Sequence, residues 1–446
     1  MHRRIIAAAL TAVTFAFCAS GAEAAPIAEC DLVAAPGGSD SAAGTADTPL
    51  ASVRAVVDGL EQGQTGCFAE GTYEVGNYKI EKAGITLTSL DDADATVRGR
   101  IWVEADNVTL EELILNNKTQ TELPSTITGD NVILRGNEIT NDNSTICFTI
   151  GSASGWGRAY DTLIEDNSIH HCGRLPASNY DHGLYVEAST DAVIRNNWIY
   201  QNADRGIQLY PDARGTLVEG NVIDRNGQGI IFGGDSGSAS SDTIVRNNLI
   251  TNSRLRDNVE SYYDQGDPVG RNNVVTDNCI SGGAYDDGDG GILKEAKGFD
   301  AQDNLLVIPD YSDPEAGDFS VPSGSPCADV LSGVEVEEPT EEEPVEDDPI
   351  LDEEDPEEVA PSLTLTAAKS VVKRGRTLRL RGEATGVTSV DIVTKRDAQW
   401  VTVSTVDAQD GHFAAAIDAT DSGRKTFKAM ASGVETTPVQ VKIRRR

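Results

Sequence analysis

The sequence has few basic residues for its length. It contains 36 Lys and Arg against 72 Asp and Glu, which gives a formal net charge of −36. Nucleic acids and anionic membrane surfaces repel such a chain, so neither is expected as its main partner. Aromatic residues are also sparse, at 5% of the chain. The plentiful Asn, Asp, Gly, Thr and Val favour many short strands and tight turns over helices.

Beyond residue 24, the chain lacks an apolar run of the ~18 residues that a membrane-spanning helix needs. Residues 1–24 combine a basic start (MHRR), an apolar run (IIAAALTAVTFAF) and the ending Ala22-Glu23-Ala24. This is the pattern of a secretory signal with its cleavage site. We therefore expect a soluble, exported protein, secreted or held at the cell surface, that does not insert into a membrane and is a monomer.

The phrase apolar-x-x-Asn-x-apolar recurs along the central part of the chain, for example as IEDNSI (164–169) and IRNNWI (194–199). Its spacing of 24 to 30 residues is typical of solenoid repeats. The variable spacing favours a β-helix, whose turns tolerate insertions, over stacked helical hairpins. The repeated asparagine falls at Asn137, Asn167, Asn197, Asn221, Asn248, Asn278 and Asn304, and LEELIL (110–115) is interpreted as a degenerate copy with Glu112 at that position.

In such a coil, strand residues such as Val193, Ile207 and Leu209 are expected to point into a narrow apolar core. The repeated asparagines are expected to stack at one bend and to hydrogen-bond along a ladder. Residues 50–60 have apolar residues on one helical face and predict a short helix that covers the end of the coil, with Asp47 or Thr48 as its N-cap.

The repeats, the GSDSAAGTADTP–helix–GTY segment and the export signal together resemble the right-handed parallel β-helix proteins of the pectate-lyase-like superfold, with their PbH1 repeats. The resemblance implies an all-β fold: a right-handed parallel β-helix over residues 25–332 with an N-terminal capping helix. That superfold includes polysaccharide lyases, epimerases, glycoside hydrolases, adhesins and copper-maturation proteins, so the resemblance specifies the fold more than the function.

Cysteine usage indicates disulfides. No C-x-x-C spacing of a zinc site occurs, and six cysteines remain once Cys18 is removed with the signal. An even number in an exported chain favours disulfide bonds. Because sequence neighbours are spatial neighbours in an elongated coil, we predict three pairs, which are Cys30–Cys67, Cys147–Cys172 and Cys279–Cys327.

The composition changes after the repeats. Residues 333–361 are rich in acids and proline and contain no base, which predicts an extended disordered linker. Residues 362–446 read as about seven short alternating strands and resemble an immunoglobulin-like β-sandwich without its cysteine pair. Trp400 is the residue of this module that could contact a carbohydrate.

Candidate functional residues cluster where three copies of a second phrase align on Gly183, Gly206 and Gly229. Strand alternation sends Tyr185 and Gln208 outward while their neighbours face the core. One face is therefore expected to gather Tyr180, Asp181, His182, Tyr185, Glu187, Arg205, Gln208, Tyr210, Glu260 and Tyr262.

This set suits abstraction of the proton next to a uronate carboxyl group. Arg205 would neutralise the carboxylate, His182 or Tyr185 would take the C5 proton while the other donates one, and Asp181 would orient the imidazole. The remaining residues of the face would bind substrate: Tyr180, Glu187, Gln208, Tyr210, Glu260 and Tyr262. The Tyr-Asp-His stretch weakly resembles the Asp-x-His segment of mannuronan C5-epimerases, although here Asp and His are adjacent.

The sequence thus favours a lyase or C5-epimerase of a uronate-containing polysaccharide. The competing hypothesis is a non-catalytic protein that binds a cell-surface glycan, mediates adhesion or has a structural role. Hydrolysis by two carboxylates drawn from Glu187, Asp235 and Glu260 is a further alternative.

Metal sites have weaker support in the sequence. The loop DDGDGG (286–291) could hold Ca²⁺ through Asp286, Asp287 and Asp289, or could be an acidic turn. His170 and His171 beside Cys172 could also suggest a metal, but adjacent strand residues face opposite ways and Cys172 is assigned to a disulfide. No other cofactor is expected.

Overall fold

The structure, a computed structural model, describes most of residues 30–332 and 362–444. The described segments are 30–90, 93–118, 123–235, 237–293, 297–322, 324–332, 362–367, 371–373, 377–385, 387–396, 399–408, 412–420, 423–431, 434–436 and 438–444. The predicted signal (1–24) and acidic linker (333–361) lie outside the described residues.

Residues 32–302 wind into a coil with three faces, each a ladder of parallel strands. The first face has eleven strands: Leu32–Ala34, Thr65–Phe68, Thr86–Ser89, Thr109–Glu111, Ile133–Arg135, Leu163–Glu165, Val193–Arg195, Leu217–Glu219, Ile244–Arg246, Val274–Thr276 and Asp300–Gln302. The second face has Ile114–Asn116, Glu138–Thr140, Ser168–His170, Trp198–Tyr200, Val222–Asp224, Leu249–Ser253 and Cys279–Gly283.

The third face follows the second in each turn of the coil. It has Ser125–Ile127, Phe148–Ile150, Leu184–Thr190, Arg205–Arg214, Gln228–Asp235 and Val259–Tyr262. Two long strands, Gly71–Ile80 and Ala95–Val103, pair with each other, and the second of them pairs with strands of both the second and third faces. The short strands Ala159–Tyr160 and Ser238–Ala239 lie at the edge of the third face. The repeat therefore folds as the predicted parallel β-helix.

Side chains alternate along each strand between the core and the outside. Ile207 and Leu209 are fully buried, as predicted, and so are their neighbours in adjacent rungs. Val193 was predicted to face the core, but it is only half-buried and the next residue, Ile194, is the buried one. The prediction for Val193 was wrong by one residue, and a shift of one residue moves a side chain to the opposite face of a strand.

The asparagine ladder forms as predicted at the bend between the first and second faces. The side-chain oxygen of Asn197 accepts from the backbone N–H and the side-chain amide of Asn167, both at 2.9 Å. Asn197 in turn donates to the side-chain oxygen of Asn221 at 2.9 Å. The ladder runs from Asn137 to Asn304 and satisfies backbone groups that would otherwise be buried without partners.

The degenerate copy LEELIL aligns differently from the prediction. Leu113, not Glu112, occupies the asparagine position, since its backbone N–H donates to the side-chain oxygen of Asn137 at 3.0 Å. Glu112 takes the preceding position, where the backbone has φ 59°. That left-handed conformation recurs one residue before each ladder asparagine and explains why glycine, Asn or Asp stands there in the other copies.

A second, shorter ladder lies at the bend between the second and third faces and was not predicted. The backbone N–H of Cys172 donates to Asn202, and Asn202 donates to Asn226 through its backbone and side-chain N–H groups. The side-chain amide of Asn226 donates back to the Ile199 backbone carbonyl of the preceding coil at 2.9 Å. Because the third-face strands begin just after this bend, the ladder sets where the side chains of the candidate site start.

We predict that Asn197→Ala lowers the free energy of unfolding by about 3 kcal/mol, because unpaired buried polar groups cost ~1–3 kcal/mol each. The change removes the acceptor of the Asn167 amides and the donor to the Ile164 carbonyl. Denaturant unfolding monitored by circular dichroism measures it. Asn196→Gly is the matched control: this exposed neighbour has φ 57°, which glycine adopts freely, so stability should change little. Equal effects of the two changes would contradict a ladder role.

The capping helix spans Val53–Gly59, within the predicted region, and buries Val53, Val56 and Val57. Its N-cap is Ser52, whose side-chain oxygen accepts from the Ala55 N–H at 3.1 Å. The predicted caps Asp47 and Thr48 were wrong, because the helix begins only at Val53, about one turn later. Among the described residues, no helix has the length and apolar character needed to cross a membrane.

All three predicted disulfides are confirmed: Cys30–Cys67, Cys147–Cys172 and Cys279–Cys327. The second joins two neighbouring coils beside the candidate site, since the Cys147 N–H donates to the His182 carbonyl at 3.1 Å. After the coil come two 3-10 helices, Pro314–Ala316 and Val330–Ser332. Phe319 in this segment packs on Trp198 and Tyr200 and covers part of the second face.

The C-terminal module has two sheets that share one apolar core, as the alternating pattern predicted. One sheet contains Ser362–Leu363, Thr366–Ala367, Thr377–Thr385 and His412–Asp418; the other contains Val371–Lys373, Ser389–Arg396, Gln399–Asp407, Gly423–Ala431, Val434–Glu435 and Val439–Arg444. The Trp400 ring, proposed to contact a carbohydrate, has the Lys428 ammonium 4.6 Å from its centroid.

Candidate active site on the third face

Backbone register on the third face brings the candidate residues into two lines. In one line, Tyr185 pairs with Gln208, Gln208 with Ile231, and Ile231 with Glu260. In the other, which starts at the bend, Arg205 pairs with Gln228. Rungs of a parallel sheet are ~4.8 Å apart. Residues far apart in sequence thus form one surface, as the alignment of the three glycine phrases predicted.

His182 lies two residues before the strand Leu184–Thr190 and is only 1% exposed. Its Nδ1 atom is buried and has no hydrogen-bond partner, and its ring centroid is 5.7 Å from that of Tyr185. Burial and then the nearby charge of Arg205 hold the pKa of His182 well below its usual value. The imidazole is therefore neutral near neutral pH and can accept a proton.

Arg205 is a buried cation held by one residue of a neighbouring loop. It is 5% exposed, and its two terminal nitrogens donate to the Asn179 backbone carbonyl at 2.8 Å and side-chain oxygen at 2.6 Å. Its Nε atom has no hydrogen-bond partner. Within the described part of the chain, no carboxylate forms an ion pair with this guanidinium. Burial lowers its pKa from the ordinary value, but an arginine stays charged at neutral pH.

The Tyr185 phenol and the Glu260 carboxyl group complete this part of the surface. Burial, followed by the charge of Glu187, raises the pKa of the Tyr185 phenol, which is therefore protonated and able to donate. Burial also raises the pKa of Glu260, although Arg205 and Arg256 oppose the shift. One oxygen of Glu260 is buried without a hydrogen-bond partner.

Asp181 has a different partner from the one predicted. Its carboxylate accepts from Arg174 Nε at 2.6 Å and Nη2 at 3.2 Å, and from the Ser178 hydroxyl at 3.5 Å. The expected contact with the His182 imidazole was wrong, since the side chain turns back into its own loop. Asp181 therefore fastens the segment 174–181, which also carries Asn179.

The other predicted substrate-binding residues lie around this centre. Gln208 is half-buried with its side-chain oxygen unpartnered, and burial raises the pKa of Glu187. The Tyr210 phenol hydrogen-bonds Asp235, and burial is the main cause of its raised pKa. Tyr180 and Tyr262 are exposed at the rim. Sequence reasoning missed Asn179, and the only available signal was an asparagine in a loop rich in turn-forming residues.

The register does not favour the hydrolase alternative. Glu187 shares a strand with Tyr185, and Glu260 lies three rungs away, about 14 Å along the coil. Paired carboxylates of glycoside hydrolases are only ~5–9.5 Å apart. Asp235, the third candidate, is engaged by Tyr210.

The predicted calcium loop has internal hydrogen bonds between its carboxylates and its backbone. The Asp286 carboxylate accepts from the backbone N–H groups of Gly282, Gly288 and Gly290, and Asp289 accepts from Gly291. Among the described residues, which include Asp287, no three His, Cys, Asp or Glu side chains are placed to share a metal ion. The carboxylates of Asp286 and Asp289 thus cap backbone N–H groups of this turn, and calcium binding at Asp286, Asp287 and Asp289 stays a prediction.

The paired histidines likewise contact each other rather than a shared ligand. The Nδ1 atoms of His170 and His171 are 2.8 Å apart, and His170 packs against Tyr200 on the second face. They lie on a different wall from His182 and take no part in the candidate site.

Several solved structures are similar to this chain at low sequence identity. Among the solved structures, the chain is similar to pectate lyase Pel9A (12% identity, 66% of this chain, 90% of that chain, TM-score 0.49). It is also similar to an alginate lyase from Paenibacillus sp. str. FPU-7 (15% identity, 57% of this chain, 96% of that chain, TM-score 0.41). A third similar structure is PfbA, a surface adhesin of Streptococcus pneumoniae (11% identity, 57% of this chain, 86% of that chain, TM-score 0.35). None of the curated protein sequences matches the chain.

A family model is decisive for the architecture. The model described as "Right handed beta helix region" matches residues 70–250 and 127–297. The two matches together span just over half of the 446-residue chain and include every third-face strand of the candidate site. The chain belongs to the right-handed β-helix family.

Proposed function

We propose that the third face binds a uronate-containing polysaccharide and cleaves it by β-elimination, with the protein exported to an oxidising compartment. The observation that carries the proposal is the buried Arg205 guanidinium. It has an unpartnered Nε, no carboxylate partner among the described side chains, and a neutral imidazole beside it. A buried cation with no carboxylate in ion-pair contact is costly. The charges of Glu260 and Asp204 act on Arg205 from farther away, whereas an anionic substrate group would pair with it directly.

The reaction assigns one role to each central side chain. Arg205 binds the uronate carboxylate and withdraws charge from it, which makes the C5 proton acidic. The His182 imidazole takes that proton, the electron pair forms the C4–C5 double bond, and the C4–O bond breaks. The Tyr185 phenol protonates the departing oxygen. The products are an unsaturated uronate at a new non-reducing end and a second fragment whose new reducing end carries the C1 hydroxyl group.

The position of the acid and base favours elimination over epimerisation. His182 and Tyr185 belong to adjacent positions of one wall, with ring centroids 5.7 Å apart. Both therefore approach a bound sugar from the same side. Epimerisation requires the second proton to arrive on the opposite face of the ring, and neither His182 nor Tyr185 lies on that side.

Asn179 resembles the proposed ligand in its contacts. Its two oxygens meet the two terminal nitrogens of Arg205 as the two oxygens of a carboxylate would. Asn179 has φ 73°, and the loop that holds it is tied by Arg174 and Asp181. Substrate binding on this wall then replaces Asn179 at the guanidinium.

We predict that Asn179→Gly tightens the binding of a uronate oligosaccharide about three- to tenfold. The change removes one competing acceptor and keeps the left-handed backbone, and a hydrogen bond to a charged group is worth ~1.5–3 kcal/mol. Isothermal titration calorimetry compares it with wild type and with Asn196→Gly, which makes the same change at another left-handed asparagine on the first face. Weaker or unchanged binding by Asn179→Gly would show that Asn179 supports the site instead of competing for it.

The proposed reaction is tested by incubating the purified protein with alginate, pectate and glycosaminoglycans. Ultraviolet absorbance reports unsaturated uronate, and proton NMR reports a change of epimer. Unsaturated product supports elimination, whereas epimer change without chain cleavage would replace the lyase by an epimerase. Binding without either reaction would favour the non-catalytic glycan-binding hypothesis.

A further inference from the structure

The outward line of the third face extends beyond the candidate site toward the N-terminal end of the coil. Trp102 pairs with Thr126, Thr126 with Thr149, and Thr149 with Tyr185. Trp102 therefore lies three rungs from Tyr185, about 14 Å along the same wall. That separation suits a short oligosaccharide laid along the coil axis.

Two tryptophans form an aromatic surface at this position. The ring centroids of Trp102 and Trp156 are 5.3 Å apart and their planes are tilted by 34°. Trp156 is 48% exposed, whereas Trp102 is half-buried and its indole N–H donates to the Thr128 hydroxyl at 2.8 Å. In a chain with only four tryptophans, a fixed indole that supports an exposed one is an unusual concentration of aromatic surface.

Positive charge accompanies the aromatic pair. The Lys79 ammonium is 4.2 Å and the Arg100 guanidinium carbon 5.3 Å from the Trp102 ring centroid. Arg100 is buried, and it donates to the Pro124 carbonyl and the Asn77 side chain, neither of which carries charge. The Lys79 ammonium also forms an ion pair with the Glu104 carboxylate, at an N–O distance of 2.9 Å. Within the described residues no carboxylate pairs with Arg100, and a buried cation of this kind is compatible with an anionic polymer although the chain as a whole is acidic.

Two short polar side chains lie between the two ends of this line. Thr126 and Thr149 are short side chains that are 1% and 4% exposed, and the Thr149 hydroxyl is buried without a hydrogen-bond partner. Both threonines are therefore covered, whereas the larger side chains Trp102 and Tyr185 at the two ends are partly exposed.

We propose that Trp156, supported by Trp102, is a distal sugar-binding subsite that stacks on a uronate residue of a chain whose reacting unit lies at His182 and Arg205. The proposal rests on the proposed function for the identity of the polymer. Stacking uses the apolar face of a sugar ring, while Lys79 and Arg100 supply the charge that favours a uronate over a neutral sugar.

The test compares oligomers of two lengths in a background that cannot turn over substrate. Binding of trimeric and octameric uronate oligosaccharides to His182→Ala protein is measured by calorimetry, with and without Trp156→Ala. We expect Trp156→Ala to weaken octamer binding about tenfold and to leave trimer binding unchanged, because only the longer chain reaches both ends. Tyr285→Ala, which removes an aromatic side chain that is 61% exposed, is the matched control and should change neither.

The outcomes separate this subsite from the reaction. Length-dependent binding that Trp156→Ala abolishes, in a protein that shows no turnover as wild type, supports the subsite and overturns the proposed reaction. Turnover by wild type with equal octamer affinity in the presence and absence of Trp156 overturns the subsite and leaves the reaction standing. A uniform loss of trimer and octamer binding in Trp156→Ala also overturns the subsite, because it indicates a structural role for the indole.

Discussion

His182→Ala is expected to lower kcat for uronate-polymer cleavage about 100- to 10,000-fold, the contribution of a positioned general base. The reason is that the neutral, buried imidazole with its unpartnered Nδ1 is the base of the proposed elimination. The initial rate of absorbance increase from unsaturated product measures the change. Circular dichroism and thermal unfolding accompany it, because a residue that is 1% exposed can also contribute to packing.

His171→Ala is the matched control for that experiment. His171 is an exposed histidine on a bend outside the third face, and it contacts His170 rather than the candidate site. Its variant should retain wild-type activity. If folded His182→Ala protein also retains it, His182 is not the base and the proposed mechanism is wrong.

The pH dependence follows from the direction of the His182 pKa shift. The base must be unprotonated, and it is so at pH values above its pKa. Because that pKa lies well below the usual 6.5, kcat/KM should stay level as the pH falls from 8 to 6.5 and decline only in more acidic solution. A decline centred at or above pH 7 would point to a different titrating group.

Arg205→Lys is expected to lower kcat/KM about 100- to 1,000-fold, although it keeps the positive charge. Lysine cannot present two parallel N–H groups to a carboxylate, and its ammonium would not keep the fork geometry that now meets both oxygens of Asn179. Steady-state kinetics should show a fall in kcat as well as a rise in KM, because the charge on the carboxylate grows as the proton leaves.

Arg246→Lys provides the comparison on the first face, where Arg246 is an exposed arginine paired with Glu219 at 2.8 Å. This change should leave both kinetic constants unchanged. If Arg205→Lys raises KM with kcat unaffected, Arg205 only binds substrate and does not stabilise the transition state.

Much of the architecture could be predicted because it repeats. Seven copies of the asparagine phrase gave seven chances to recognise one bend, and the ladder forms as that pattern indicated. The errors fall where the repeat is weakest. Glu112 was placed at the asparagine position because LEELIL has no asparagine to anchor the alignment, and Val193 was assigned to the core although strand positions alternate with a period of two.

The candidate site was predictable in its strand residues and not in its loop. Tyr185, Gln208 and Glu260 lie in one line because parallel pairing propagates a single register from coil to coil. The segment 174–181 interrupts the repeat, so no copy constrains its conformation. Two contacts of this segment are decisive: Asp181 accepts from Arg174, and Asn179 accepts from Arg205. No regular spacing in the sequence relates the residues of either pair, so neither contact could be predicted.

The sequence by itself determined the parallel coil, the asparagine ladder, the three disulfide pairs and the wall on which His182 and Arg205 lie. Each depends on periodicity or on the proximity of sequence neighbours in a stack. Only the tertiary structure decided the charge state of that wall. The neutral state of His182 follows from its burial by neighbouring segments, and the described side chains place no carboxylate in an ion pair with Arg205. Burial and side-chain pairing are properties of packing that a linear pattern does not contain.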